Sequence, residues 1–132
     1  MASPTTPGST NLGMAPNVAG LLCYLPLCCI GILFAIVAVI VEKQSRFVRF
    51  HAFQSLLLHA VWTVVGIGLW VVQMVAHMLL GVLGLLVSLL SLLVLLAGLG
   101  ALIFMMIKAY NNEEFELPTI GEMARKWAAG QS

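Results

Sequence analysis

Long apolar runs separated by short polar interruptions organise the chain, and no stretch alternates apolar and polar with a two-residue period. From Val18 to Val41 almost every residue is apolar or small, which predicts one membrane span over about residues 18–41. Apolar residues resume at Phe53 and continue to Ile107, interrupted around His77, Gly81 and Gly84. Between Arg49 and Lys108 lie 58 residues without a Lys, Arg, Asp or Glu. As one helix that run would measure about 87 Å. A hydrocarbon core is only about 30 Å thick, so the chain must fold back within it. The spacing predicts spans over about 53–77 and 80–107, with a turn near His77–Gly84. Backbone groups in lipid must be satisfied internally, which leaves helices or a closed barrel. Unbroken Leu and Val runs do not fit a barrel's alternating strands, so the expected class is all-α and integral to the membrane.

Composition supports that reading: 61% of residues are hydrophobic and 8% charged, where soluble domains carry about 25% charged residues. Charge placement then suggests an orientation. Lys43, Arg46 and Arg49 follow the first span, and Lys108, Arg125 and Lys126 follow the last. Basic residues in short loops stay on the cytoplasmic side. Two crossings between the groups put all six on one side; one or three would split them evenly. The expectation is therefore three transmembrane helices, N-out and C-in, in a multi-pass plasma-membrane protein. Residues 1–17, rich in Pro, Ser, Thr, Gly and Asn, read as a disordered N-terminal tail. They lack the basic start of a signal peptide. A net charge of +1 offers no field for nucleic acid.

Helices in lipid associate through small residues and polar contacts. Gly81, Gly84, Ser88, Ser91 and Gly98 make such a stripe on the third span, while Gly31, Ala35 and Ala38 do so on the first, where Pro26 is expected to bend the outer end. The second span carries His59, Thr63, Gly66, Trp70, Gln73 and His77 at helical spacing. That stripe reads as an interhelical seam or, alternatively, as the lining of a proton or solute path. Cys23, Cys28 and Cys29 read as small buried hydrophobes rather than metal or redox groups.

The most distinctive segment is FVRFHAFQSLLLH, residues 47–59, where His51, Gln54, Ser55 and His59 share a helix face at the cytoplasmic edge. Lys43, Arg46 and Arg49 are placed to reach anionic lipid headgroups. Residues 111–132 form a cytoplasmic tail whose helix-ending Asn111–Asn112 precedes Pro118. Residues 119–129 then make either an interfacial helix with Ile120, Met123 and Trp127 on one face, or a frayed tail. Thr119 and Glu122 have capping-box spacing. No cofactor motif occurs, and His51 with Glu113 or Glu114 is thin material for an enzyme.

The segment RFHAFQSLLL resembles the hallmark of small bacterial membrane proteins related to the Tic-twenty component of chloroplast inner-envelope import. The run IKAYNNEEFELPTIGEMA and the opening NVAGLLCYLPLCCIGIL are similar to that family too. The matching positions are Arg49, Phe50, His51, Ala52, Gln54, Lys108, Ala109, Asn111, Phe115, Pro118 and Gly121; Asn112 stands where the family has Gly. The resemblance implies a bacterial inner-membrane protein of unknown function with no established catalytic residue. Together these features point to a non-enzymatic scaffold, assembly or accessory subunit, homo- or hetero-oligomeric, acting through helix–helix contacts. The alternative is an oligomeric channel or translocation component for a small solute, proton or polypeptide.

Overall fold

A computed structural model of the chain describes residues 10–26 and 29–130. Among these residues it is all-helical: α1 (Pro16–Cys23), α2 (Ile30–Val41), α3 (Arg46–Leu79), α4 (Gly81–Tyr110) and α5 (Ile120–Gly130). Two of these, α3 and α4, are long and apolar enough to cross a membrane. At helical rise they measure about 51 Å and 45 Å.

The apolar stretch 18–41 is not the single continuous span predicted from hydropathy. It is two short helices, α1 and α2, folded back on each other. The carboxamide oxygen of Asn11, before α1, accepts from the backbone N–H groups of Lys43 and Gln44, after α2, at 2.9 and 3.2 Å. The two ends of the segment therefore lie at the same end of the molecule. Local sequence explains the break. Pro26 has no N–H to give a helix and biases Leu25 away from helical dihedrals. Gly31 then lets the second helix approach the first, since a Cβ there would collide with the Leu25 carbonyl. Ala35 and Ala38 bury the same face of α2, and Ala19, Gly20 and Cys23 bury α1.

Residues 10–15, placed in the disordered tail by composition, are held against the body. Asn11 donates its N–H to the Glu42 carboxylate at 2.8 Å, and Thr10 is buried. Glu42 also accepts from Gln44 and Ser45 at 2.8 and 2.9 Å. With the Ser45 hydroxyl, which accepts from Val48 N–H, this carboxylate satisfies donors at the start of α3, where negative charge also suits the helix dipole. Of the three cysteines, Cys23 is buried but Cys29 is exposed, against the expectation for it; Cys28 lies outside the described residues.

Helices α3 and α4 are joined at Leu80 alone, which is extended at φ −150°. Their seam matches large side chains to small ones. Trp62 lies over Gly98, where a Cβ would overlap the indole, and His77 lies against Gly84 in the same way. Gln73 donates to the Ser88 hydroxyl at 2.9 Å. Gly81 and Gly66 have open space where a side chain would stand, so neither is a packing contact within this chain. Thr63 and Ser91 hydroxyls bond back to the carbonyls of His59 and Val87, each four residues earlier. The stripe His59–His77 thus divides into local bonds and a Gln73–His77–Ser88 group, and these bonds form no continuous relay.

α4 ends in a Schellman arrangement: Glu113 N–H reaches the Lys108 carbonyl at 2.9 Å and Asn112 N–H the Ala109 carbonyl at 3.1 Å. Asn112 takes φ 60°, the left-handed conformation expected of it. Gly98→Leu is expected to force α3 and α4 apart at Trp62 and destabilise the hairpin by about 1–3 kcal/mol. Loss of monodisperse protein on heating in detergent, at a lower temperature than the parent, is the measurement that checks this.

Candidate functional site

Buried polar groups gather at the α3 entry rather than along the hairpin. Arg49, His51, Gln54 and Ser55 are all buried, as are Glu42 and Tyr24. Such groups are costly inside a protein unless each finds a partner. Here they find partners in three other segments.

Tyr24, at the end of α1, sends its hydroxyl between α3 side chains. It lies 3.2 Å from His51 Nδ1 and accepts from Gln54 Nε2 at 3.1 Å. The Tyr24 proton is therefore directed at Nδ1. His51 Nε2 lies 3.1 Å from the backbone carbonyl of Glu113, to which it donates. This set of roles describes a neutral imidazole with both nitrogens engaged. Phe47, Phe50 and Tyr24 surround the ring edge-to-face, with centroids 4.5 to 5.7 Å away. Gln54 reads the tail like a strand partner: Nε2 donates to the Phe115 carbonyl at 2.9 Å and Oε1 accepts from Leu117 N–H at 3.1 Å. Ser55 donates to the Cys23 carbonyl. His51, Gln54 and Ser55 together tie α1, α3 and residues 113–117 into one unit.

Chemically, this is a structural lock. His51 has no free nitrogen for acid–base work. The Glu113 carboxylate, considered as its catalytic partner, is turned to Lys108 at 2.6 Å. Among the described residues no group of three or more His, Cys, Asp or Glu could hold a metal ion. Arg49 is only 1% exposed and is engaged inside the protein, so it does not reach for headgroups as its position in sequence suggested; Lys43 and Arg46 are exposed.

Beyond the lock, Pro118 leads into α5. Thr119 takes φ 66°, and the Glu122 carboxylate pairs with Lys126 at 2.9 Å rather than closing a capping box. Gly121, Ala124 and Ala128 form the buried face of α5, small enough to lie close on α3; a Cβ at Gly121 would come within 2.8 Å of Gln54 Oε1. Trp127 meets Phe53 edge-to-face at 5.8 Å, and Arg125 stands 5.6 Å from the Phe50 ring centre. Met123 and Trp127 keep much of their surface exposed, an amphipathic arrangement. Arg125 also pairs with Glu114 and Glu116.

Of the positions singled out in sequence, His51, Ala52, Gln54, Ala109 and Gly121 converge here, and Phe50 packs beneath α5. Phe115 contributes its carbonyl, while its ring stacks edge-to-face on Phe104 at 5.2 Å. Sequence reasoning missed Tyr24, Glu42 and Asn11. The one signal was Tyr24 itself, a hydroxyl within an otherwise apolar run. Gln54→Ala should leave the Leu117 N–H and Phe115 carbonyl without partners, a loss of about 1–3 kcal/mol. Faster cleavage after Glu113, Glu114 and Glu116 by a glutamate-specific protease, with α3 and α4 remaining protected, is the expected result.

The comparisons with known proteins follow the same span. A UPF0132 membrane protein of Methanocaldococcus jannaschii is 39% identical over 127 residues, covering 92% of this chain and 96% of that protein. A UPF0132 membrane protein of Archaeoglobus fulgidus is 37% identical over 120 residues, covering 89% and 99%. A second M. jannaschii protein of that name is 30% identical over 119 residues, covering 88% and 72%. No solved structure matches. The family model that matches covers residues 9–124. These findings correct the resemblance to the Tic-twenty import component: neither the matching family nor the relatives carry that identity, and the relatives are archaeal, so the bacterial assignment falls with it. Three short segments are weaker evidence than alignment along nearly the whole chain, and the His and Gln of the central segment are accounted for by the lock. With the entry segment, both long helices and the start of α5 inside the match, the chain belongs to the magnetosome magnetite crystal formation protein (MamF/MmsF) family.

Proposed function

We propose that this protein is a non-enzymatic membrane scaffold or assembly subunit, anchored by the crossing of α3 and α4, that acts through contacts of this hairpin with other membrane helices. One observation carries the reading: past the packed base, the hairpin has apolar flanks and a notch with no occupant among the described residues. Between α3 and α4 a half-open groove of about 270 Å³ is lined by Trp62, Gly66, Trp70, Gln73, Ser91 and Leu95, among others. Small and polar residues at such a surface are what helix association in lipid uses. All six basic residues lie towards the base, which the positive-inside rule puts in the cytoplasm.

The family's name refers to magnetite crystal formation and so invites a direct role in templating mineral. The carboxylates give it little support: Glu42 is buried, and among the described residues no group of three or more His, Cys, Asp or Glu could hold a metal ion. A supporting role for an assembly fits that surface better. A conducting role would need several copies to enclose a path, and the local bonding of His59 and Thr63 does not favour one.

Gly66→Leu combined with Ser91→Leu fills the groove without touching the base. Cysteine or photo-crosslinking in native membranes should give homo- or hetero-oligomeric adducts for the parent and a severalfold loss for this double variant, with unchanged protease resistance of the base. A parent that yields only monomer would dispose of the proposal.

A further inference from the structure

The two halves of the apolar body differ in girth. Near the base, the α1–α2 pair packs beside the first turns of α3 and the last turns of α4, where Ala35, Ala38, Val48, Ala52, Met105 and Ala109 share one core. Past about Leu58, α3 and α4 continue alone to Leu80, a further 33 Å or so at helical rise. Both halves present apolar surface outward. On α2 the residues Ile30, Leu33, Ile36, Val37 and Ile40 are exposed, and at the far end Met78 is 83% exposed. One apolar belt therefore encloses four helices at the base and two at the tip.

Helices α1 and α2 have 8 and 12 residues, or about 12 and 18 Å, too short for either to cross a core of about 30 Å. The bonds from Asn11 to Lys43 and Gln44 return the chain to its starting level. At that level Asn17 also donates to the carbonyl of Tyr110, the last residue of α4, at 3.1 Å.

We propose that α1 and α2 form a re-entrant pair confined to the cytoplasmic leaflet, and that the resulting wedge makes the protein favour bilayer whose cytoplasmic face is convex. Each helix is about 10–12 Å wide, so four against two displaces about twice as much lipid area from one leaflet as from the other. Bending that leaflet outward relieves the mismatch. Helix α5 lies on the same side with Met123 and Trp127 exposed, and an amphipathic helix at the headgroup level spreads that leaflet further and is itself sensitive to curvature. The partner is a lipid surface of defined curvature, and Asn11 and α5 both lie on the cytoplasmic side.

The inference rests on the crossing of α3 and α4 proposed above, and the two can fail separately. Epitope tags ahead of Met1 and after Ser132 should be digested together, from the cytoplasmic face, in vesicles of known sidedness. Tags on opposite faces would overturn the re-entrant hairpin alone, whereas a Leu80→Cys label reachable from the cytoplasmic face would overturn the crossing. Full-length protein in phosphatidylcholine–phosphatidylglycerol vesicles of mixed diameter should show a severalfold higher surface density on the smallest vesicles, base outward. Equal density across diameters with both tags on one face would overturn the wedge; copies that fill each other's notch would give that result. Pro26→Ala with Gly31→Ala, which favours one continuous helix, should reduce the sorting.

Discussion

The bonds made by Tyr24, His51 and Gln54 are what the arrangement at the base depends on. Hydrophobic burial cannot choose one helix arrangement over another in a solvent as apolar as the side chains. Polar groups can, because an unpaired donor in such surroundings is expensive. The Tyr24 hydroxyl serves His51 and Gln54 at once, and those two side chains hold the backbone at Glu113, Phe115 and Leu117. Sliding α1 along α3 by one turn would leave several of these groups unpaired. The contacts among Ala35, Ala38, Val48, Ala52 and Ala109 then add close packing around a register that the polar groups define.

Much of this was legible in the sequence, and what was not has a physical cause. Periodicity and charge spacing located α3, α4 and their turn, because hydropathy reports directly on what can stand in lipid. Helix-ending signals at Asn111–Asn112 were readable since the left-handed conformation is a local property. The interruption at Pro26 was read as a bend, and it is a reversal. Deciding between those requires knowing that Gly31 can lie on Leu25 and that Asn11 can bond beyond Val41, which are non-local facts. His51 and Gln54 stood out by residue type, yet their partners are backbone groups of residues 113–117, and backbone leaves no mark in a sequence. Glu42 stands beside Lys43 in sequence yet is buried, because three nearby N–H groups replace its water.

The molecule is also graded along its length. Its base is held by many side-chain hydrogen bonds, ion pairs and aromatic contacts, whereas the far half relies on two helices, Trp62 and His77 each set against a glycine, and the small Gln73–His77–Ser88 group. Stability that varies along a structure in this way concentrates motion where contacts are few. The half proposed to meet other helices is thus the half with most freedom to adjust to them.

The distances in sequence across the lock set an order in time. Gln54 lies 61 residues before Phe115, and Asn17 lies 93 before Tyr110. At a synthesis rate of about 5–20 residues per second, Gln54 waits roughly 3–12 s for the backbone it will hold. During that interval the first apolar segment and the α3–α4 hairpin lack their closing bonds. The short charged segment 113–117, made after both long helices, is the piece that completes the core of what was made before it.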